Sequence, residues 1–424
     1  LTHYYPPINS PGAKRFLVLS RYLAAQGHNV VVITTKKTSR DGDFSERVPS
    51  KVKIFELNSF GCISRSTDVS TSKYEGLYTK NRSIVRIIKD NVMKIFGQIP
   101  DPRLPFAISF LSPLINENIK KIISDSHIVI ATTPPWPMLL AASIIRIRFH
   151  KSVILDYRDH FSECHQIPGS IIAKKIEKII DRTLSKKADH IVCISPPMTE
   201  YYSNFNKNIS TIYNGFDQYE MEVAHLNVKK SNKSKIIIRY MGTITPGRIP
   251  KNFFMALAEL KKKEKDIYSK VMVEFYGTSD LVLIELLKNY PEIKGIFYFF
   301  QPVSYSMSLQ LMIESDFLLF SEVSNPQTKS AQGILTTKLF EYIGSGRPII
   351  ADISKKTQAG VIINSLKNHA HIVTDDYNEM YMKLAELLKK HSSVVINKQI
   401  NKYSRGIQSE KYNQLICSII KNKV

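Results

Sequence analysis

The chain has 424 residues, 43% hydrophobic and 23% charged, with a formal net charge of +22. That length gives room for two domains with their own cores and excludes a single small binding module, while no apolar run approaches the about 18 residues that a membrane span requires. The cationic excess predicts an anionic partner, whether nucleic acid, an anionic membrane surface or a phosphorylated substrate.

The start, "LTHYYPPINSPG", has neither a leading methionine nor the charged-then-apolar order of a signal peptide, and reads as a chain cut inside or just before its first strand. "AKRFLVLSRYLAAQGHNVVVITTKK" then predicts an amphipathic helix carrying Phe16, Leu17, Leu19 and Leu23, a stop at Gly27 and a strand from Val30 to Thr35. Apolar strands recur at His127–Thr133, Ser152–Asp159, His190–Ser195 and Ile209–Gly215, with helical stretches between most of them. Continuous apolar strands alternating with helices predict a parallel sheet covered on both faces. After the lysine-rich "VKKSNKSK" (Val228–Lys235) the pattern restarts with "IIIRYMG", the helix "KNFFMALAELKKK", "VMVEFYG", a helix near Leu281–Lys288 and "GIFYFFQPV". A helix around Tyr305–Ile313, the strand "DFLLFSE", the stretch "GILTTKLFEYIGSGRPIIA" and a terminal helix after Lys398 follow. The expected domains are 1–216 and 217–397, with 398–424 packing back on the first. Four dispersed cysteines without a Cys-x-x-Cys pair argue against a zinc site or a disulfide framework and favour a reducing, cytoplasmic setting. Nucleic acid is not favoured, because no zinc-finger spacing, RNA-binding aromatic signature or basic zipper is present.

Two places in the second half suggest phosphate chemistry. "YMGTITPGR" puts Gly242 at a strand end and Arg248 just before a helix: glycine admits close backbone approach, and arginine with a helix start supplies positive charge. Its plainer reading is a strand-to-helix loop with a solvated arginine. Lys338 and Glu341 stand i, i+3 on one helix face, so that a cation for phosphate oxygens and a carboxylate for a vicinal diol project together. The plainer reading is an intrahelical ion pair worth about 0.2–0.5 kcal/mol. In the first half, Gly12 is expected between a strand and a helix, with ordinary turn chemistry as its alternative. Asp159 and His160 close the "VILDYRDH" strand, where Arg158 and Asp159 could equally form a structural pair. Asn214, Gly215 and Asp217 read as a structural turn.

"YYPPINSPGAKR", "VILDYRDHF", "IVCISPP", "IYNGFD", "YMGTITPGR" and "TTKLFEYIGSGRPII" follow one another in the order and spacing of family 4 glycosyltransferases, which the chain resembles over nearly its whole length. Its middle, "IPDPRLPFAISF" followed by "ATTPPWPMLLAA", resembles the bacterial members that build O-antigen, capsule or exopolysaccharide. The resemblance implies the GT-B fold, an α/β architecture of two Rossmann-like doubly wound domains with a cleft between them. It implies a retaining, metal-independent transferase that needs no cofactor and takes a nucleotide-diphosphate sugar as donor. Carried onto this chain, Arg248 and Lys338 would neutralise the donor diphosphate and Glu341 would bind ribose. Gly12 and Gly242 would approach the donor, and Asp159 and His160 would face the transferred sugar. Front-face displacement, with the departing phosphate helping to deprotonate the acceptor, makes stabilisation of the leaving diphosphate the main electrostatic task. The family's glutamate pair, eight positions apart, would begin at residue 333. This chain has Gly333 there, and Gly333, Ile334 and Leu335 would offer backbone amides instead.

"KNRSIVRIIKDNVMKIFG" (Lys80–Gly97) and "SIIAKKIEKIIDRTLSKK" (Ser170–Lys187) are basic amphipathic stretches. Each could cover the sheet with its apolar side or lie in an anionic interface. With the +22 charge, and with the lipid-diphosphate-linked saccharide acceptors usual for the resembled family, the expectation is peripheral attachment to the inner face of the plasma membrane. A sugar-nucleotide epimerase of the same architecture and a non-catalytic polyanion-binding protein are the alternatives.

Overall fold

The structure is a computed structural model that describes residues 1–37, 49–58, 63–66, 94–99, 101–164, 167–228, 235–244, 248–277, 287–322, 333–366, 371–390 and 398–422. Most of the expected amphipathic stretch 80–97, the core of the lysine-rich segment, most of the helix expected near 281–288, Cys62 and residues 245–247 of the arginine loop lie outside them. The chain divides into two compact units: Leu1–Tyr213 with Gln408–Val424, and Asn214–Ile407.

In the first unit, helix α1 (Pro11–Ala25) starts where Ser10 caps the Ala13 amide and Pro11 supplies a first-turn residue whose missing N–H costs nothing there. Gly12 therefore lies in the first turn of α1, one step further into the helix than the sequence suggests. Strand β1 (Val31–Thr35) pairs in parallel with β2 (Lys53–Leu57), and β2 pairs antiparallel with β3 (Ile63–Ser66). The antiparallel edge is a departure from the all-parallel expectation. The short helices α2 (Leu104–Ser109) and α3 (Glu117–Asp125) lead to β4 (Ile128–Thr133). Helix α4 (Pro137–Phe149), β5 (Ser152–Tyr157), α5 (Ile171–Lys187), β6 (His190–Cys193), α6 (Pro196–Ser203) and β7 (Ile209–Thr211) complete a parallel β4-β5-β6-β7 sheet. Every residue of β5 is buried, as a strand covered on both faces demands. Leu1 and Thr2 link the two sheets, Thr2 bridging to Thr34 and Leu1 accepting from the Thr132 amide at 3.2 Å.

The second unit opens with α7 (Gln218–Leu226), which Asp217 caps. Strand β8 (Ile236–Met241), helices α8 (Lys251–Lys263) and α9 (Lys265–Ser269), β9 (Val271–Tyr276), β10 (Phe297–Phe300), α10 (Tyr305–Glu314) and β11 (Phe317–Ser321) follow. Helix α11 (Thr337–Ser345), β12 (Ile349–Asp352), α12 (Gln358–Ser365), β13 (Ile372–Thr374) and α13 (Tyr377–Lys390) complete it. The described strands form one parallel sheet in the order β10-β9-β8-β11-β12-β13. Counted within the unit, that is the doubly wound order 3-2-1-4-5-6, whose switch point falls between β8 and β11. Phe253, Phe254, Leu257, Phe275 and Met380 sit in its core.

Helix α11 ends at Gly346, which takes a left-handed φ of 71° that a side chain would strain. Gly344 lies inside the helix, where an added Cβ would stand 2.6 Å from the Phe216 ring. The terminal helix α14 (Arg405–Lys421) contributes Tyr412 and Ile416 to the first unit's core beside Phe16, Leu19, Leu23 and Val32.

Candidate functional site

The carboxyl ends of β8 and β11 bring together residues that are far apart in sequence. β8 runs into Gly242, whose φ of 109° is open only to glycine at low cost. A Cβ there would meet the Lys338 Cε and Nζ at 3.4 Å, so the bare backbone lies directly beside the ammonium. Lys338, in the first turn of α11, holds its Nζ 3.9 Å from the centroid of the Tyr240 ring, a cation–π arrangement. Tyr342, one turn on, accepts the Met241 amide at 2.9 Å and ties α11 to the end of β8.

β11 ends at Ser321, and the next residue, Glu322, is buried. Its carboxylate lies 3.1 Å from Nε of Arg248 and accepts the Thr336 hydroxyl at 2.8 Å. Thr336 is the residue that begins α11, and its hydroxyl goes to Glu322 with no side-chain bond to the helix amides. Helix starts leave amide donors without intrahelical partners, and the Thr336 side chain takes none of those of α11. Burial lowers the Lys338 pKa to about 8; Arg248 pushes the same way, while Glu322 and Glu341 oppose it. Among the described residues, Lys338 and Arg248, with Glu322 between their charges, and a helix start without a side-chain cap stand at the switch point of a doubly wound sheet, where ligands of such sheets bind.

Glu341 lies one turn beyond Lys338 and is half-buried. It shares a field with Tyr305 and the buried Arg405: burial works to lower the arginine's pKa, but Tyr305, Glu341 and Asp217 outweigh it and raise the value. Gly333, Ile334 and Leu335 lead into α11; Gly333 and Leu335 are buried, and the Leu335 carbonyl accepts from the Asn214 side chain at 3.5 Å.

In the first unit, Gly12 leaves room for Arg158, whose Nη1 occupies the space a Cβ would need. Arg158 is itself buried, stacks on Tyr4 at 5.3 Å and donates to Thr132 Oγ1 at 3.1 Å and to the Pro134 carbonyl at 2.5 Å. Burial lowers its pKa, with Asp159 and Asp156 opposing. Asp159 is exposed. His160, its neighbour, is buried, with its ring stacked 5.5 Å from Tyr202 and edge-on to Tyr201 at 5.0 Å. The structure therefore brings Gly242, Arg248 and Lys338 together, sets Glu341 in the same electrostatic environment, and places Asp159 and His160 apart from each other in exposure.

Sequence reasoning misses Glu322, Tyr240, Tyr305 and Arg405. Glu322 carries a signal, being an acidic residue one step past the apolar run Phe317–Phe320. Arg405 carries none, since it sits on a terminal helix otherwise read as packing.

Residues 12–219 match the family description Glycosyltransferase Family 4. No curated protein matches the chain. Among solved structures, a sucrose-phosphate synthase from Thermosynechococcus elongatus is similar with a TM-score of 0.62 at 12% identity, covering 100% of this chain and 96% of that one. A trehalose-6-phosphate structure from E. coli, bound with UDP-2-fluoro glucose, gives 0.59 at 11% identity over 97% of both chains. An alpha,alpha-trehalose-phosphate synthase from Burkholderia xenovorans gives 0.50 at 9% identity, over 77% of this chain and 84% of that one. The chain thus has the two-domain GT-B fold, and its residues 12–219 match the family 4 glycosyltransferases.

Proposed function

We propose that the protein is a retaining, metal-independent glycosyltransferase that moves a sugar from a nucleotide-diphosphate sugar to a lipid-diphosphate-linked saccharide in surface-polysaccharide synthesis. The single observation that carries the donor half is the pairing of Arg248 with Lys338 around buried Glu322 at the β8/β11 switch point. In the reaction the bond between the anomeric carbon and the diphosphate oxygen breaks while the acceptor oxygen bonds to the same face of that carbon. The departing phosphate takes the acceptor's proton. Arg248 and Lys338 meet the negative charge that grows on the leaving group, and the open first turn of α11 adds its amides. Glu341, in the field of Arg405 and Tyr305, accepts the ribose hydroxyls. Exposed Asp159 keeps the role next to the transferred sugar that the resemblance assigns, whereas His160 serves as packing. The acceptor and an anionic membrane as the place of work rest on the resemblance and on the +22 charge; among the described residues no helix is long and apolar enough to cross a membrane.

A thermal-shift panel of nucleoside diphosphates and their sugars, followed by transfer to lipid-linked saccharide, tests this reading. Selective stabilisation by one nucleoside diphosphate is expected. Conversion of the donor with no acceptor present would identify an epimerase instead.

Donor affinity is also expected to fall with alkaline pH. Lys338 titrates near 8 in the free protein, and pairing with a diphosphate returns its pKa toward the ordinary lysine range. Binding therefore takes up a proton above pH 8, and Kd rises about tenfold between pH 7 and 9. Titration calorimetry checks this, and Lys338→Arg, which stays charged, should flatten the profile. An equally steep profile in that variant would remove Lys338 as its source.

A further inference from the structure

Helix α5 is built inside out. The residues it turns to the protein are Ala173, Glu177, Asp181, Leu184 and Ser185. Both carboxylates are fully buried. Glu177 accepts from the Gln98 amide and pairs with Lys174 at 2.8 Å. Asp181 accepts from the hydroxyls of Tyr157 at 2.9 Å, Ser162 at 2.8 Å and Tyr202 at 3.0 Å, and from the Ser162 amide at 3.1 Å. These bonds fix the rotation of the helix, because turning it would strand two carboxylates without partners.

The outer side then carries the aliphatic residues. Ile171 is 78% exposed, Ile172 71%, Ile176 42% and Ile179 65%. Ile172, Ile176 and Ile179 follow i, i+4, i+7 and make one stripe. The Ser170 amide donates to the Ile95 carbonyl at 3.2 Å, which sets the exposed Ile95 and Phe96 at the same helix end. Lys94, Lys175, Arg182, Lys186 and Lys187 are exposed around them. A patch of this kind marks an interaction site, since scattered single aliphatics do not line up. Its cationic border selects the partner. At an anionic bilayer surface the isoleucines and phenylalanine reach the acyl boundary while the lysines meet lipid phosphates.

We propose that the outer face of α5, together with Lys94–Phe96, is the surface by which the protein docks on an anionic lipid bilayer. The inference deepens the membrane setting proposed above and rests on that part of the reading, while donor binding in the second unit is independent of it.

The test is flotation of the full chain with phosphatidylcholine vesicles, with and without phosphatidylglycerol. The wild type is expected to float with the phosphatidylglycerol vesicles, less so as salt rises. The triple variant Ile172→Ser, Ile176→Ser, Ile179→Ser should lose at least about tenfold of that binding with an unchanged melting temperature. Three results overturn the proposal: a wild type that ignores anionic vesicles, a triple variant that floats equally well, or a triple variant that melts lower, which would mean the face packs against protein. A wild-type dimer that the variant abolishes would also overturn it, assigning the face to a second copy. The nucleoside-diphosphate thermal shift, run on both proteins, keeps the two readings apart. Its absence from the wild type sinks the transferase assignment and leaves the vesicle result standing.

Discussion

Replacing Lys338 by alanine is expected to lower kcat/KM for sugar transfer by about a thousandfold, a loss of about 4 kcal/mol of transition-state stabilisation. The ammonium sits over Tyr240 beside the backbone of Gly242 and has no second lysine near it in α11 to take its place. The fold should survive. Burial has already lowered the lysine's pKa to about 8, so the charged form is favoured less in the folded than in the unfolded state. Below pH 8 its removal relieves that penalty and costs only the ring contact. The melting temperature should therefore move by less than about 4 °C. Activity within threefold of wild type on the true substrates would sink the assignment of this site.

The second large effect is at Glu322. In the free protein this buried carboxylate compensates Arg248 and stands against the field of Lys338. Glu322→Gln leaves two cations close together and removes the carboxylate that pairs with Arg248. Because the Arg248 side chain is 21% exposed, water recovers part of the loss, and the expected destabilisation is about 2–3 kcal/mol, or about 5–10 °C. A diphosphate replaces the missing negative charge, so the melting shift on adding nucleoside diphosphate should be larger in the variant than in the wild type. Turnover moves the other way. Arg248 loses the partner at its Nε, and kcat should fall about a hundredfold through lost orientation. Differential scanning fluorimetry with and without ligand, beside steady-state kinetics, checks both signs. An unchanged ligand shift would mean that Glu322 does not face the anion site.

Much of the second unit is legible in its sequence because its strands are mostly apolar and its helices are punctuated. β11 reads as five buried residues in a row, and α11 announces its end through Gly346 before Pro348. Lys338 and Glu341 are legible for the same reason, since helical spacing alone puts them on one side. Glu322 is not, because its role depends on two strands adjacent in the sheet but distant in the chain, and β8 meets β11 only through topology. Gly344 shows the same limit, since the sequence shows a glycine near a helix end, and only the neighbouring Phe216 ring explains why it is there. In the first unit β2 and β3 escape notice, being short and with charged Lys53 and Glu56 in β2 and Arg65 in β3. α5 decides between two orientations that the sequence leaves open. Amphipathic periodicity gives the existence of two faces, but Tyr157, Ser162 and Tyr202 decide which of them is inside.

The path of the chain has a consequence for folding order. The second unit is one continuous segment, and its two ends are tied to each other: the Phe216 amide donates to the Tyr403 carbonyl at 3.0 Å, and the Arg405 amide to the Phe216 carbonyl at 2.7 Å. The Tyr213 amide in turn reaches the Gln408 side chain at 3.0 Å. For the first unit, everything between Tyr213 and Gln408 is a loop, and closing so long a flexible loop costs about 4–5 kcal/mol of chain entropy. A second unit that has already folded holds those ends together and removes that cost. Helix α14 with Tyr412 and Ile416, synthesised after the second unit, then arrives beside the core that needs it.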